Sequence, residues 1–282
     1  MSAVRVHHPD TLDEATALLR DLDDALVYGG GTAISVLRAQ GLLFAQDWVD
    51  IARVPGLADL TTTSDGLRIG ALVPLRRMET DPQVRRLTPL AAQTYGRVAH
   101  PRVRNTATAG GNIAHGDYRL DPPTALAVLD ATVHLTSAAG TREVSIREFF
   151  TGFQQTAVAH GELVTAITVP RQPERARGTY VKLRSLSEND WPCASAAVLA
   201  VPEDGFVDIR LGLGGLAPTT VYLAYDVTPD MDVEQAVDAA IDIADSAMDP
   251  IPDIRGSARY KARLGRIAVE EGLRHCLKEL AG

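Results

Sequence analysis

The segment from His100 to Pro123 constrains the fold most, because it brings a glycine pair and several charged residues into one short stretch. Its centre is Thr108-Ala109-Gly110-Gly111-Asn112. Adjacent glycines permit positive φ and leave no Cβ in the way of a ligand. Thr108 and Asn112 add short polar groups that can hydrogen-bond to such a ligand. An isolated glycine pair usually marks an ordinary turn, so a binding role needs a second feature elsewhere in the chain.

A second glycine turn, Tyr28-Gly29-Gly30-Gly31-Thr32, provides that feature. It follows the apolar run 25–28 and precedes the apolar-periodic segment 33–40, which predicts a buried strand, a turn and a helix that Thr32 caps. A strand, glycine turn and helix in this order direct backbone N–H groups at an anion. The spacing excludes a Walker loop, since no Lys-Ser/Thr pair follows, and it is not the G-x-G-x-x-G of a dinucleotide-binding unit.

Composition excludes several classes of function. The formal charge of −8 and the pI near 5.4 argue against a nucleic-acid groove, which needs a basic surface. No apolar run approaches the roughly 18 residues of a membrane span, and the N-terminus lacks the apolar centre of a signal peptide. We therefore expect a cytoplasmic protein without a membrane span.

The residues that could hold a metal or attack a substrate lack the necessary spacing. Cys193 and Cys276 are the only cysteines and lie far apart, which predicts two free thiols and excludes an iron–sulfur cluster built by this chain alone. The seven histidines show no metal-ligand spacing. The sequence thus predicts neither a metal site nor a catalytic residue.

Apolar periodicity and turn signals divide the chain into three predicted units: an α/β unit over 1–55, an α+β unit over 56–170, and antiparallel strands followed by helices over 171–282. The predicted helices cover 11–22, 33–40, 75–80, 88–97, 121–129, 233–247 and 257–280. The predicted strands cover 25–28, 48–51, 59–63, 67–69, 131–137, 141–146, 163–169, 179–186, 194–201 and 206–214.

Three local signals support this division. Thr11 and Glu14 have the spacing of a capping box at the start of the first helix. Ser64-Asp65-Gly66 predicts a hairpin turn with a glycine at positive φ. Asp121 before Pro122 predicts an N-cap, with proline in the first turn of the helix.

Taken together, four segments resemble the FAD-binding medium subunit of the molybdenum hydroxylases, a family that includes the flavin subunits of carbon monoxide dehydrogenase and the FAD domain of xanthine dehydrogenase. Two of them are the glycine turns, the second of which lies in a T-x-GGN-x-A-x-GD-x-x-x-D-x-P pattern. The others are the opening Val6 to Ala15 and the segment Asp253-Ile254-Arg255-Gly256-Ser257-Ala258-Arg259-Tyr260-Lys261. The four matches occur in the family's order and span nearly the whole chain.

The resemblance implies an α+β fold: a two-lobed FAD-binding domain of the PCMH type, similar to that of vanillyl-alcohol oxidase, followed by a C-terminal domain of antiparallel strands and helices. It also implies non-covalent FAD. The residues that match the family's cofactor contacts are Tyr28, Gly29, Gly30, Gly31, Thr32, Ala33, Thr108, Gly110, Gly111, Asn112, Asp117, Asp121, Val164, Lys182 and Trp191. Among them, Lys182 is expected near the pyrimidine edge of the flavin, and Trp191 is expected to stack on its isoalloxazine ring.

Some positions depart from the family pattern. Tyr28 stands where a small residue is usual, and Tyr118 and Arg119 are bulkier than the family norm, which leaves the shape of the adenine side open. His115 lies within the second glycine segment and either lines the site or is exposed.

The implied function is electron transfer within a larger enzyme. A large subunit would bind the molybdenum cofactor, a small subunit would carry [2Fe–2S] clusters, and this chain would pass electrons to a quinone, NAD or dioxygen, in an (αβγ)2 complex. One alternative is a self-sufficient flavin oxidase or dehydrogenase, although the stretch after Pro170 leaves little room for a substrate domain. A second alternative is an assembly module that keeps the fold without flavin.

Overall fold

The computed structural model describes residues 4–282 as three sheets of three or more strands, one two-stranded pair and the helices that pack on them. The strands are β1 Arg5–His7, β2 Ala25–Tyr28, β3 Asp47–Asp50, β4 Leu60–Thr62, β5 Gly66–Gly70, β6 Thr132–Ser137, β7 Gly140–Ser145, β8 Phe150–Gly152, β9 Gln155–Thr156, β10 Leu163–Pro170, β11 Arg177–Leu183, β12 Ala194–Glu203, β13 Phe206–Gly214 and β14 Val221–Val227. The α-helices are α1 Leu12–Asp21, α2 Thr32–Ala39, α3 Leu75–Thr80, α4 Pro82–Leu87, α5 Pro89–Tyr95, α6 Pro101–Arg104, α7 Ala109–Ala114, α8 Pro122–Val128, α9 Ile146–Phe149, α10 Val233–Ala247 and α11 Ala258–Ala281, and Ile51–Arg53 forms a 3₁₀ turn. This mixture of helices with mostly antiparallel sheets confirms the predicted α+β class.

The first sheet is parallel, with the strand order β1-β3-β2. Helix α1 covers it, and Ala15 and Leu19 pack against Val49 in a small apolar core. The predicted capping box at α1 is only half present: Thr11 Oγ1 accepts from the Glu14 N–H at 3.2 Å, as predicted. Glu14 itself accepts from the Asp10 N–H instead of the Thr11 N–H, because its side chain reaches back one residue further.

The second sheet is antiparallel, in the order β4-β5-β10-β6-β7. The predicted hairpin between β4 and β5 is confirmed, but the role predicted for Gly66 is wrong. Gly66 does not adopt positive φ; it is the first residue of β5 and pairs with Pro170. A Cβ on Gly66 would lie 2.1 Å from the Val169 carbonyl oxygen, so glycine is needed here because two backbones approach closely.

The third sheet, β11-β12-β13-β14, is also antiparallel. Helices α10 and α11 cover one face, where Val198, Leu211 and Leu273 belong to one buried cluster. The sequence missed β14, an edge strand whose residues alternate between half-buried and exposed. It also missed α4, which begins at Pro82 with Asp81 as its N-cap.

The other face of the third sheet packs against the second unit. Tyr180 and Leu199 of this sheet share a buried cluster with Leu67 and Leu126. The proposed domain boundaries near residues 55 and 170 stay predictions, because this core continues across the second boundary. Within residues 4–282, no helix combines the length and the apolar character needed to cross a membrane.

We expect Gly66→Ala to lower the free energy of unfolding by about 1–3 kcal/mol, because the new methyl group would force β5 away from β10. Urea denaturation of the purified chain measures this change as a shift in midpoint. Gly152→Ala is the matched control, because the nearest atom to its new Cβ is the mobile end of Gln155, at 3.1 Å. Equal midpoints for the two variants would contradict the close-approach explanation.

Candidate cofactor-binding site

The two glycine turns lie against each other, although they are far apart in the sequence. A Cβ on Gly30 would be 2.0 Å from the Thr106 carbonyl oxygen. A Cβ on Gly29 would be 3.5 Å from Thr108 Oγ1. Only glycine at position 30 therefore allows the first turn to reach the segment before α7. The two glycine segments, which the sequence linked only by resemblance, are therefore in contact in the structure.

The first turn leaves the start of α2 open. The N-cap is Gly31, in the left-handed conformation with φ of 67°, and Thr32 is the first helical residue. The prediction that Thr32 caps this helix is therefore wrong, since the sharp turn at Gly31 moves the helix start by one residue. Among residues 4–282, no side chain caps α2. Its first N–H groups are available to an anion at this end of the helix.

Tyr28 forms one wall of this turn. Its ring stacks on Trp48 with centroids 5.7 Å apart and planes 12° apart. A Cβ on Gly31 would lie 2.5 Å from the Tyr28 hydroxyl oxygen, so the phenol passes directly over the glycine. Tyr28 thus lines the turn and brings a hydroxyl group to it.

The second glycine segment is a short helix, α7, and not an open turn. Gly110 and Gly111 both have negative φ, so the expectation of positive φ is wrong at these positions. A Cβ on Gly110 would lie 2.5 Å from the Ala71 Cβ, which means that glycine lets α7 approach the end of β5. Thr108 is the N-cap, and its Oγ1 accepts from the Gly111 N–H at 3.2 Å.

Asn112 carries a side-chain oxygen that nothing in the described chain satisfies. Its Oδ1 is buried and has no hydrogen-bond partner among residues 4–282. A buried acceptor without a partner costs about 1–3 kcal/mol. Such an atom in a glycine-rich segment is the feature expected where a ligand supplies the missing donor.

Asp117 and Asp121 lie in two different environments, although only three residues separate them. Asp117 forms two hydrogen bonds with the Arg119 guanidinium, at 2.9 and 2.6 Å. Burial would raise the pKa of Asp117, but the bonds from Arg119 outweigh it and the pKa is lowered. Asp117 is therefore a fixed anion that holds Arg119 in place.

Asp121 belongs to a buried triad with Tyr180 and Lys182. Its Oδ1 accepts from the Tyr180 hydroxyl at 2.5 Å, and its Oδ2 accepts from Lys182 Nζ at 2.9 Å. Lys182 also donates to the Arg97 carbonyl at 3.0 Å. Asp121 is the N-cap of α8, as predicted, with Pro122 in the first turn. Its side chain makes no capping bond to the helix, because these two partners already occupy the carboxylate.

Burial dominates the ionisation of this triad. The side chains of Asp121 and Lys182 are 0% and 2% exposed. Loss of water raises the pKa of Asp121 and lowers that of Lys182, while their mutual attraction opposes both shifts. The Lys182 ammonium is thus directed at Asp121 and the Arg97 carbonyl, and its contact with a flavin edge stays a prediction.

Trp191 lies beside two guanidinium groups. Arg119 Cζ is 4.2 Å from the indole centroid and Arg255 Cζ is 5.5 Å from it.

Val164 is buried in β10, next to an irregularity in its pairing with β6. His115, the C-cap of α7, is half-buried, and burial lowers its pKa. The stacking of Trp191 on a flavin and the contact of Val164 with it also stay predictions.

Sequence reasoning missed a network of charged residues around Trp191. The residues of this charged network are Asp117, Arg119, Asp190, Asp253, Arg255 and Lys261. The signal was present in the Asp117-Tyr118-Arg119 and Asp253-Ile254-Arg255 triplets, which repeat an acid and an arginine two residues apart. The positions of the residues within either triplet do not show that the two triplets lie close together in the folded chain. Among residues 4–282, no three His, Cys, Asp or Glu side chains are grouped so that they could hold a metal ion.

Comparison with known proteins identifies relatives along the whole chain. Residues 2–172 match the family model described as the FAD-binding domain in molybdopterin dehydrogenase. The carbon monoxide dehydrogenase medium chain of Hydrogenophaga pseudoflava is 32% identical over 274 residues, which cover 95% of this chain and 94% of that protein. The nicotine 6-hydroxylase medium subunit of Paenarthrobacter nicotinovorans is 28% identical over 284 residues, covering 99% and 98% of the two chains.

A solved structure agrees with these sequence matches. A chain of quinoline 2-oxidoreductase from Pseudomonas putida 86 superposes with a TM-score of 0.89 at 26% identity. The match covers 99% of this chain and 98% of the other. The agreement includes the region beyond residue 172, where Lys182, Trp191 and Arg255 lie.

We expect Lys182→Met to lower the free energy of unfolding by about 3–5 kcal/mol, because it leaves the Asp121 carboxylate buried without its cation. Replacing both members, as Lys182→Met with Asp121→Leu, should cost less than the single change, since no buried charge is left alone. Chemical denaturation of the three proteins measures the difference. Arg274→Met, which breaks an exposed pair with Glu234, is the control and should leave the midpoint nearly unchanged. A double variant less stable than Lys182→Met would contradict this account of the pair.

Proposed function

Because this chain belongs to the family of FAD-binding domains in molybdopterin dehydrogenases, we propose that it is the FAD-carrying electron-transfer subunit of a molybdenum-containing hydroxylase or dehydrogenase. The observation that carries this proposal is the pairing of an uncapped α2 N-terminus with the unsatisfied Asn112 Oδ1, in two segments that touch through Gly30. Together they offer donors for a diphosphate and an acceptor for a hydroxyl or amide group.

The residues present fit a dinucleotide with a planar ring. Tyr28, Gly29, Gly30, Gly31, Thr32 and Ala33 would hold one side of the diphosphate, and Thr108, Gly110, Gly111 and Asn112 would hold the other. Backbone N–H groups can neutralise phosphate without a lysine. Bound FAD would supply the redox chemistry, and the protein would orient it and shape its surroundings.

The remaining predicted contacts would act around the ring and the ribityl chain. Trp191 offers an aromatic surface, and Val164 adds an apolar contact in β10. Asp117 and Asp121 would act mainly by fixing neighbouring cations, since both carboxylates already bind Arg119 and Lys182. This division assigns binding to backbone and amide groups and assigns positioning to the charged residues.

The proposal extends to partners. The chain would receive electrons from [2Fe–2S] clusters on a small subunit, after substrate hydroxylation at a molybdenum cofactor on a large subunit, and pass them to a quinone, NAD or dioxygen. Relatives named as medium chains or medium subunits, matched over nearly their full length, support this role. An (αβγ)2 assembly in the cytoplasm completes the proposal.

Acid release and chromatography of flavin from the purified chain, and from the complex that co-purifies with it, test the function. We expect FAD from both preparations, with molybdenum and iron only in the complex. If neither preparation contains flavin and added FAD does not bind, the proposal fails. If the chain alone oxidises a substrate with its own flavin, the self-sufficient oxidase takes its place.

Asn112→Ala should have opposite effects on binding and on stability. Loss of the acceptor should weaken FAD binding about fivefold to tenfold, the equivalent of about 1–1.4 kcal/mol. The flavin-free chain should be as stable as the parent or more stable, because the variant no longer buries an unsatisfied oxygen. Titration of the flavin-free chain with FAD measures the first effect, and thermal unfolding measures the second.

Asn105→Ala is the control for this variant, because Asn105 is exposed after α6. It should leave FAD affinity unchanged. An Asn112→Ala chain that binds FAD as tightly as the parent would remove Asn112 from the site.

A further inference from the structure

Arg119 lies at the centre of the charged network around Trp191. Its guanidinium binds Asp117 at 2.9 and 2.6 Å and approaches Asp253 at 3.7 Å. Only 15% of its side chain is exposed. A guanidinium held by carboxylates from two separate loops has little freedom to change its direction.

Charged neighbours hold both the backbone and the indole of Trp191. Its backbone N–H donates to the Asp190 carboxylate at 2.8 Å, and Asp190 in turn binds Arg255 at 3.0 and 2.7 Å. The Arg119 guanidinium, at 4.2 Å from the centroid, occupies one face of the ring. That face is therefore closed to any other planar group.

The network balances its charges. Asp117, Asp190 and Asp253 face Arg119, Arg255 and Lys261, and Lys261 is itself completely buried and 3.0 Å from Asp253. Three carboxylates and three cations leave no net charge beside Trp191. A variant that keeps a positive charge at position 119 preserves this balance, so it separates the geometric effect of Arg119 from its charge.

We propose that Arg119 is a positioning residue that fixes the orientation of the Trp191 indole and closes one of its faces, so that the ring of the bound cofactor can meet Trp191 in only one way. The proposal rests on the proposed FAD-binding function and adds to it a residue outside the predicted contacts. It depends on a flat, bidentate guanidinium, because a lysine at this position could neither stack on the indole nor bind both oxygens of Asp117.

Two substitutions distinguish a need for the planar guanidinium from a simple need for positive charge at position 119. Arg119→Lys keeps the charge and loses the stack, whereas Arg119→Leu loses both. If orientation is what matters, Arg119→Lys should lose the fixed indole as Arg119→Leu does, although only Arg119→Leu also leaves the buried Asp117 carboxylate without a cation. If only charge matters, Arg119→Lys should behave like the parent.

Tryptophan fluorescence of the full chain reports on the indole without any cofactor. The chain has two tryptophans, so subtracting the spectrum of Trp191→Phe isolates the signal of Trp191 from that of Trp48. We expect acrylamide to quench Trp191 at least twice as efficiently in both Arg119 variants as in the parent. The ring would then be free to turn and would be more open to solvent.

FAD binding and the visible circular dichroism of the bound flavin report on the second half of the proposal. We expect both variants to bind FAD about tenfold more weakly and to share an altered dichroism signal, because the flavin ring would meet a mobile indole. Arg147→Lys is the matched control: Arg147 stacks on Tyr222 at 3.5 Å and pairs with Asp130. It should alter neither measurement.

Each outcome decides the proposal. Parent-like behaviour of Arg119→Lys would show that charge alone matters and would overturn it. A mobile Trp191 with unchanged FAD affinity and dichroism would reduce Arg119 to a purely structural role. A parent chain that binds no FAD would contradict the proposed function instead, and the quenching experiment would still decide whether Arg119 holds the indole.

Discussion

The approach of Gly30 to the Thr106 carbonyl is the contact on which the candidate site depends. This contact brings the first glycine turn, at the open N-terminus of α2, against the segment just before α7. Because a Cβ at position 30 would lie 2.0 Å from that oxygen, no other residue permits the same geometry without moving one of the backbones. The absence of one side chain therefore lets the two glycine segments touch, and the unsatisfied Asn112 Oδ1 lies in the helix that follows the second contact residue.

A second constraint is a buried ion pair that connects the third sheet to the rest of the chain. The Asp121 and Lys182 pair joins the start of α8 to β11 in a place without water. A buried pair of this kind adds little net stability compared with apolar residues of the same size, but it strongly penalises any arrangement that separates its members. The pair therefore specifies how β11 packs against α8. One of its members, Asp121, is close in sequence to Asp117. The segment that contains Asp121 also supplies Asp117 and Arg119 to the charged network.

Local signals in the sequence predicted the helices and strands well, but they predicted the contacts between distant residues poorly. The strand at Ala25–Tyr28 and the helices at Leu75–Thr80 and Val233–Ala247 were predicted with their observed bounds, because periodicity and caps are properties of neighbouring residues. The family resemblance marked both glycine segments as one site, although the reasons for the glycines differ from those expected. Gly66 and Gly110 are needed for close approaches to distant backbone, which no local pattern encodes. The partners of Asp121 and Lys182 were hidden for the same reason.

Residues from both sides of the end of the matched FAD-binding region meet in the charged network. The matched FAD-binding region ends at residue 172, yet Trp191 and Asp253 come from beyond it and contact Arg119 from within it. The length of the Arg119 side chain allows it to reach Asp253 and Trp191 at once. A smaller residue at this position would leave the indole with only the more distant Arg255 guanidinium, at 5.5 Å, and Asp253 with fewer partners. One side chain thus joins the matched region to residues between the strands and helices that follow it.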